Sequence, residues 1–210
     1  VNGRPAHKVY FYDVEMDTLS HFDFFTGRPF SGLSQPDDSH SAQHAEAELA
    51  GRYPVSQFWD ESEPRLFVCE TVLVNSEYRI TNQSHSTEVD VSVVTFFMTQ
   101  EHGLLLHDSQ PRPAALQGLL ALDTPYYYYT CKLLFRRGGV FLPHPGELDT
   151  TSLTPAAVPS SSHMVVRRAL RDFVGLESCE KQTRDAMLNF SFYLTIGDMD
   201  EAFRAIKLIK

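Results

Sequence analysis

The sequence predicts a mainly β chain with a C-terminal α segment. Two patterns and a break between them predict it. Before Asp149 the apolar residues alternate with period two, in runs such as KVYFYDV and EVDVSVVTFFMT. From His163 onward the apolar spacing lengthens to that of a helix. Between the two lies DTTSLTPAAVPSSS, residues 149–162, whose Pro, Ser, Thr and Ala content is that of a linker. Residues 1–148 are therefore expected to be sheet and residues 163–210 helix.

The first run, residues 8–14, forms a strand with Val9, Phe11 and Asp13 on one face and Tyr10, Tyr12 and Val14 on the other. Residues 31–51, SGLSQPDDSHSAQHAEAELAG, are polar and poor in bulky apolar side chains, so they are expected to be a mobile loop. Strands return at 64–74, 88–99, 102–108 and 125–135, the last carrying four consecutive tyrosines. Turn material separates them at the spacing of an all-β domain. After the linker, a short helix is expected over 163–174, ended by Gly175, with Arg167, Arg168 and Arg171 on its polar side.

The final stretch reads as a helical hairpin. Thr183, Ala186, Phe190 and Leu194 recur at helical spacing, with Met187 and Tyr193 widening the stripe. Gly197 ends that helix, and Asp198 caps the next, with Glu201 three residues on. Met199, Ala202, Phe203, Ile206 and Ile209 form the second stripe, and Phe190 and Phe203 are expected to meet across the turn. One hairpin cannot bury both its faces, so further copies should stack on it as in a helical-repeat solenoid. The chain opens at Val1 and closes at Lys210 on this single hairpin, and the expectation is an internal piece of a longer polypeptide.

Composition narrows the function classes. The chain has 210 residues and a net charge of −9, which disfavours a nucleic-acid partner, since phosphates call for a basic surface. No apolar run is long enough to span a bilayer. Cys69, Cys131 and Cys179 are isolated and odd in number, as expected of thiols in a reducing compartment. The sequons at Asn82 and Asn189 are read as chance.

Each chemical motif has a plainer reading beside it. His107, Asp108 and Ser109 contain the residue types of a triad, but neighbours on an extended strand diverge, and an ordinary strand end fits them better. His40 and His44, near Asp37 and Asp38, have a metal-ligating spacing only on a helix, and their segment reads as loop. Arg136, Arg137, Gly138 and Gly139 lack the following Lys-Ser or Lys-Thr of a phosphate loop and suit a hairpin turn. Arg167, Arg168 and Arg171 could meet acidic partners or lipid headgroups, or simply face water. Tyr126 to Tyr129 should divide, two inward and two outward. No residue is assigned a catalytic, cofactor-binding or metal-binding role.

Short strands in groups of four suggest propeller blades. KVYFYDVE resembles the closing strand of a WD-repeat blade, and Phe58-Trp59-Asp60 before PRLFV resembles a blade's first turn. The stretches RDFVGLE, TRDAMLNFSFYLTIGDMDEAF and IKLIK, with FWDESEPRLFVCE and DTPYYYYTC upstream, resemble the large WD-repeat/TPR subunits of intraflagellar transport complex A, in particular the hundred-and-forty-kilodalton family. The resemblance covers most of the chain except residues 31–51, and a first propeller and nearly all the helical repeats have no counterpart here. It implies the C-terminal part of a WD-repeat β-propeller over 1–148 and the start of a TPR-like solenoid over 163–210. It further implies a non-enzymatic scaffold without cofactors, acting in retrograde transport and cilium assembly at the ciliary base, the axoneme and in the cytoplasm. Its implied partners are other complex A subunits and ciliary membrane-protein cargo with its adaptors. The competing readings are a vesicle-coat subunit of the same architecture outside cilia, and an α+β hydrolase or transferase, for which no convergent base and nucleophile are found.

Overall fold

The computed structural model describes residues 6–26, 28–30, 49–73, 90–132, 134–136, 139–141 and 163–209. The strands are β1 (Lys8–Asp13), β2 (Thr18–Asp23), β3 (Arg28–Phe30), β4 (Arg52–Trp59), β5 (Leu66–Leu73), β6 (Asp90–Thr99), β7 (Gly103–Pro111), β8 (Leu116–Asp123), β9 (Tyr126–Lys132), β10 (Leu134–Arg136), β11 (Gly139–Phe141) and β12 (His163–Ala169). A 3₁₀ turn at Arg171–Phe173 and two helices, α1 (Lys181–Ile196) and α2 (Met199–Ile206), follow. The architecture is mainly β with C-terminal helices, in open sheets that match a partial β-propeller. The chain divides into two compact units, Val1–Gln57 with Arg65–Pro111, and Phe58–Pro64 with Arg112–Lys210.

The first unit holds the sheet β1-β2-β3 and most of the four-stranded sheet β4-β5-β6-β7. Alternation along β1 places Val9 and Phe11 in the core and leaves Tyr10 and Tyr12 exposed, as the period-two pattern requires. β5 and β6 read as near-continuous apolar runs because they are central strands, covered on both faces. The core is aromatic. Phe11 meets Phe67 edge-on at 4.8 Å, and Phe22 lies 4.8 Å from Phe24 and 4.9 Å from Phe96. These offset geometries are those that ring quadrupoles favour.

Leu49 belongs to this core and is fully buried, and the Gly51 N–H donates to the Phe24 carbonyl at 2.8 Å. The expected mobile loop at 31–51 is corrected at this end, because one large apolar side chain suffices to anchor Leu49 to Gly51. Residues 31–48 lie outside the described residues, as does the expected linker at 149–162. Arg52, its side chain almost wholly buried, forks onto both carboxylate oxygens of Asp90 at 3.1 and 3.0 Å. That bidentate pair ties the start of β4 to the start of β6.

In the second unit the sheet order is β12-β9-β8, and β10 pairs with β11 as an antiparallel hairpin, Arg136 opposite Gly139. The hairpin is the expected one, but the single strand expected over 125–135 is divided between β9 and β10. The helix expected over 163–174 is overturned. His163–Ala169 is a strand, paired residue for residue with β9 from His163↔Lys132 to Ala169↔Tyr126. Adjacent β-branched Val165 and Val166 suit a pleated ladder, and a neighbouring strand satisfies the backbone that a lone short helix would leave half-bonded at its ends. Gly175 does take positive φ, 85°, but it follows the 3₁₀ turn rather than a helix.

The helical hairpin is present from Lys181. Gly197 has φ 81°, its N–H donates to Leu194 O, and the Asp198 N–H donates to Tyr193 O, the paired bonds of a Schellman end. Asp198 then accepts the Glu201 N–H at 3.0 Å as the N-cap of α2. The buried faces differ from the expected stripes. α1 buries Ala186, Leu188, Ser191 and Phe192, with Leu194 exposed, and α2 buries only Ala202 and Ala205. Phe203 is 60% exposed with the Lys207 ammonium 4.1 Å above its ring, so it does not pack on Phe190 across the turn. On the buried side of α1, the Ser191 hydroxyl donates to Asp172 of the 3₁₀ turn at 2.6 Å, beside the buried Leu188 and Phe192.

Candidate interaction surfaces

Asp60 closes β4 and organises the turn that follows. One carboxylate oxygen accepts the Ser62 N–H, the Ser62 hydroxyl and the Glu63 N–H at 2.8, 2.9 and 2.8 Å. The other accepts the Thr124 N–H and hydroxyl at 2.8 and 2.6 Å. A parallel bridge between Asp60 and Leu122 lies beside these bonds. The turn after Trp59-Asp60 is thus held as the sequence suggests, while its tether to Thr124 is a long-range feature that no local pattern announces. The role of Asp60 is to fix backbone, not to face solvent chemistry, since it is 5% exposed with both oxygens occupied.

The four tyrosines divide as expected. Tyr127 and Tyr129 are each 1% exposed, and Tyr126 and Tyr128 stand half-buried on the opposite face. The three arginines separate. Arg167 shares the outer face with Tyr128, its register partner, and its guanidinium lies 4.4 Å above the Tyr126 ring. Arg168 is opposite Tyr127 and so points to the other face, and Arg171 begins the 3₁₀ turn. They do not form one basic stripe, because the strand alternates them where a helix would have gathered Arg167, Arg168 and Arg171 together.

His107 is the extra residue of a bulge in β7, where Thr95 faces Asp108 and the next residue, Phe96, faces Leu106. Its ring packs 4.8 Å from Phe97. Asp108 and Ser109 continue the ladder with Thr95 and Val94. The structure uses this trio for pairing and packing. Asp37, Asp38, His40 and His44 lie outside the described residues. Among the described residues no group of three or more His, Cys, Asp or Glu is placed to hold a metal.

Cys69 is fully buried in the aromatic core, and burial pushes its thiol up to about 12. Cys131 is buried too, its thiol likewise raised by burial, and donates to the Ala115 carbonyl at 3.4 Å. Cys179 is half-buried, and none of the three is in a disulfide. Among the described residues no helix is long and apolar enough to cross a membrane.

Exposed apolar side chains also stand on β1, β2 and α2. On β1 and β2, Tyr10, Tyr12 and Leu19 stand more than half exposed, with Leu19 directly opposite Tyr12. On α2, Met199 and Phe203 are each 60% exposed, and Ile206 follows one turn on at 38%.

A family model described as the IFT140 second beta-propeller matches residues 1–132, more than half of the chain and ending with the last residue of β9. The chain belongs to the IFT140 family. The IFT140 family is one of intraflagellar transport complex A subunits, with ciliary localisation, and its propeller is a scaffold-type domain.

Proposed function

We propose that this chain acts as a non-enzymatic scaffold subunit of intraflagellar transport complex A, serving retrograde transport, cilium assembly and delivery of membrane-protein cargo to cilia. The single observation that carries the reading is the IFT140 propeller match over residues 1–132. In this proposal residues 1–148 are the C-terminal part of a propeller, joined by β12, and the helical hairpin from Lys181 begins a TPR-like solenoid. The α2 face of Met199, Phe203 and Ile206 supports the second assignment, because an amphipathic helix with an uncovered stripe is what the first hairpin of a stack presents. Its partners are other complex A subunits and, through adaptors, membrane-protein cargo. It works at the ciliary base and along the axoneme.

The test is co-precipitation from ciliated cells with the tagged full-length protein, wild type and Phe203→Asp. Wild type is expected to recover complex A subunits and to localise at the ciliary base. Phe203→Asp is expected to lower that recovery and to leave transported material at ciliary tips. Recovery of vesicle-coat subunits in place of complex A would overturn the assignment, and full recovery with Phe203→Asp would remove the solenoid stack from it.

A further inference from the structure

We draw no further inference here: the strongest candidate, the outer face of the β12-β9-β8 sheet on which Arg167 lies over Tyr126 beside Tyr128 and Val165, carries nothing because nothing in the structure shows what covers it.

Discussion

The Asp60 carboxylate accepts two hydrogen bonds from Thr124, one from its backbone N–H at 2.8 Å and one from its hydroxyl at 2.6 Å, although the residues are 64 apart in sequence. With the three donors from Ser62 and Glu63, five donors converge on one buried side chain. Asp60→Asn keeps the shape but places an NH₂ group where an oxygen accepts, so it opposes donor to donor and removes the charge. The expected loss of stability is about 2–4 kcal/mol, since a buried hydrogen-bonded group loses its partners. Thr124→Val, which removes only the hydroxyl, is expected to cost about 1–2 kcal/mol. Urea unfolding of both single variants and the double variant measures this, and the double variant should fall short of the sum. Equal midpoints for Asp60→Asn and the parent chain would show that the turn after Trp59 is held by other contacts.

The thiols give a prediction with a defined sign. The folded-state pKa of Cys69 is raised from 9.0 to about 12 by burial. Its contribution to stability is therefore fully present below pH 9 and is lost as pH rises toward 12. In a native titration with a disulfide reagent at pH 8, the half-buried Cys179 is expected to react first. Cys69 and Cys131 should react only on unfolding, because the reagent attacks thiolate and neither is exposed. Rapid modification of all three thiols in the folded chain would contradict the placement of Cys69 beside Phe67 and Phe96.

Patterns confined to one element were legible in the sequence. The two faces of β1, the even division of Tyr126 to Tyr129 between two faces, the left-handed Gly197 and the Asp198 cap all follow from spacing and local chemistry. Partners distant in the chain were not legible. β12 looks helical by its own spacing, and only the β9 ladder makes it a strand. Leu49 is one apolar residue in a polar stretch, and nothing nearby shows that it enters the core. On α1 the apolar stripe pointed to Leu194, while the buried side carries Leu188, Phe192 and a polar residue, Ser191, bonded to the distant Asp172. No catalytic, cofactor or metal residue was named from the sequence.

Phe192 on α1 and Phe203 on α2 should behave unequally. Phe192 is 7% exposed, and Phe192→Ala leaves a cavity as well as losing burial, for an expected cost of about 3–4 kcal/mol. Phe203 is 60% exposed, and in this chain Phe203→Ala is expected to change stability by less than about 0.5 kcal/mol. Thermal or urea unfolding of the 210-residue chain separates the two. A large loss for Phe203→Ala here would mean that its ring is covered and that the α2 face is not available for stacking.

Gly197 joins the two helices at φ 81°, a left-handed conformation that β-branched residues avoid. A Cβ built at this position meets no atom within 4 Å, so any cost of substitution comes from the backbone alone. This predicts a graded series. Gly197→Asn should be nearly tolerated, since Asn visits this region, Gly197→Ala should cost about 1 kcal/mol, and Gly197→Val about 1–2 kcal/mol. A side-chain clash would give a different order, with Asn costing as much as Val because both add bulk at the turn. Urea midpoints for the three variants distinguish the causes. If the strain is relieved by unwinding the last turn of α1, the N–H bonds of Gly197 and Asp198 to Leu194 and Tyr193 are lost first. Hydrogen exchange at those two amides in Gly197→Val should then accelerate, while the Glu201 amide, held by the Asp198 cap, keeps its protection. Equal acceleration at Glu201 would show instead that the turn and the α2 cap yield as one unit.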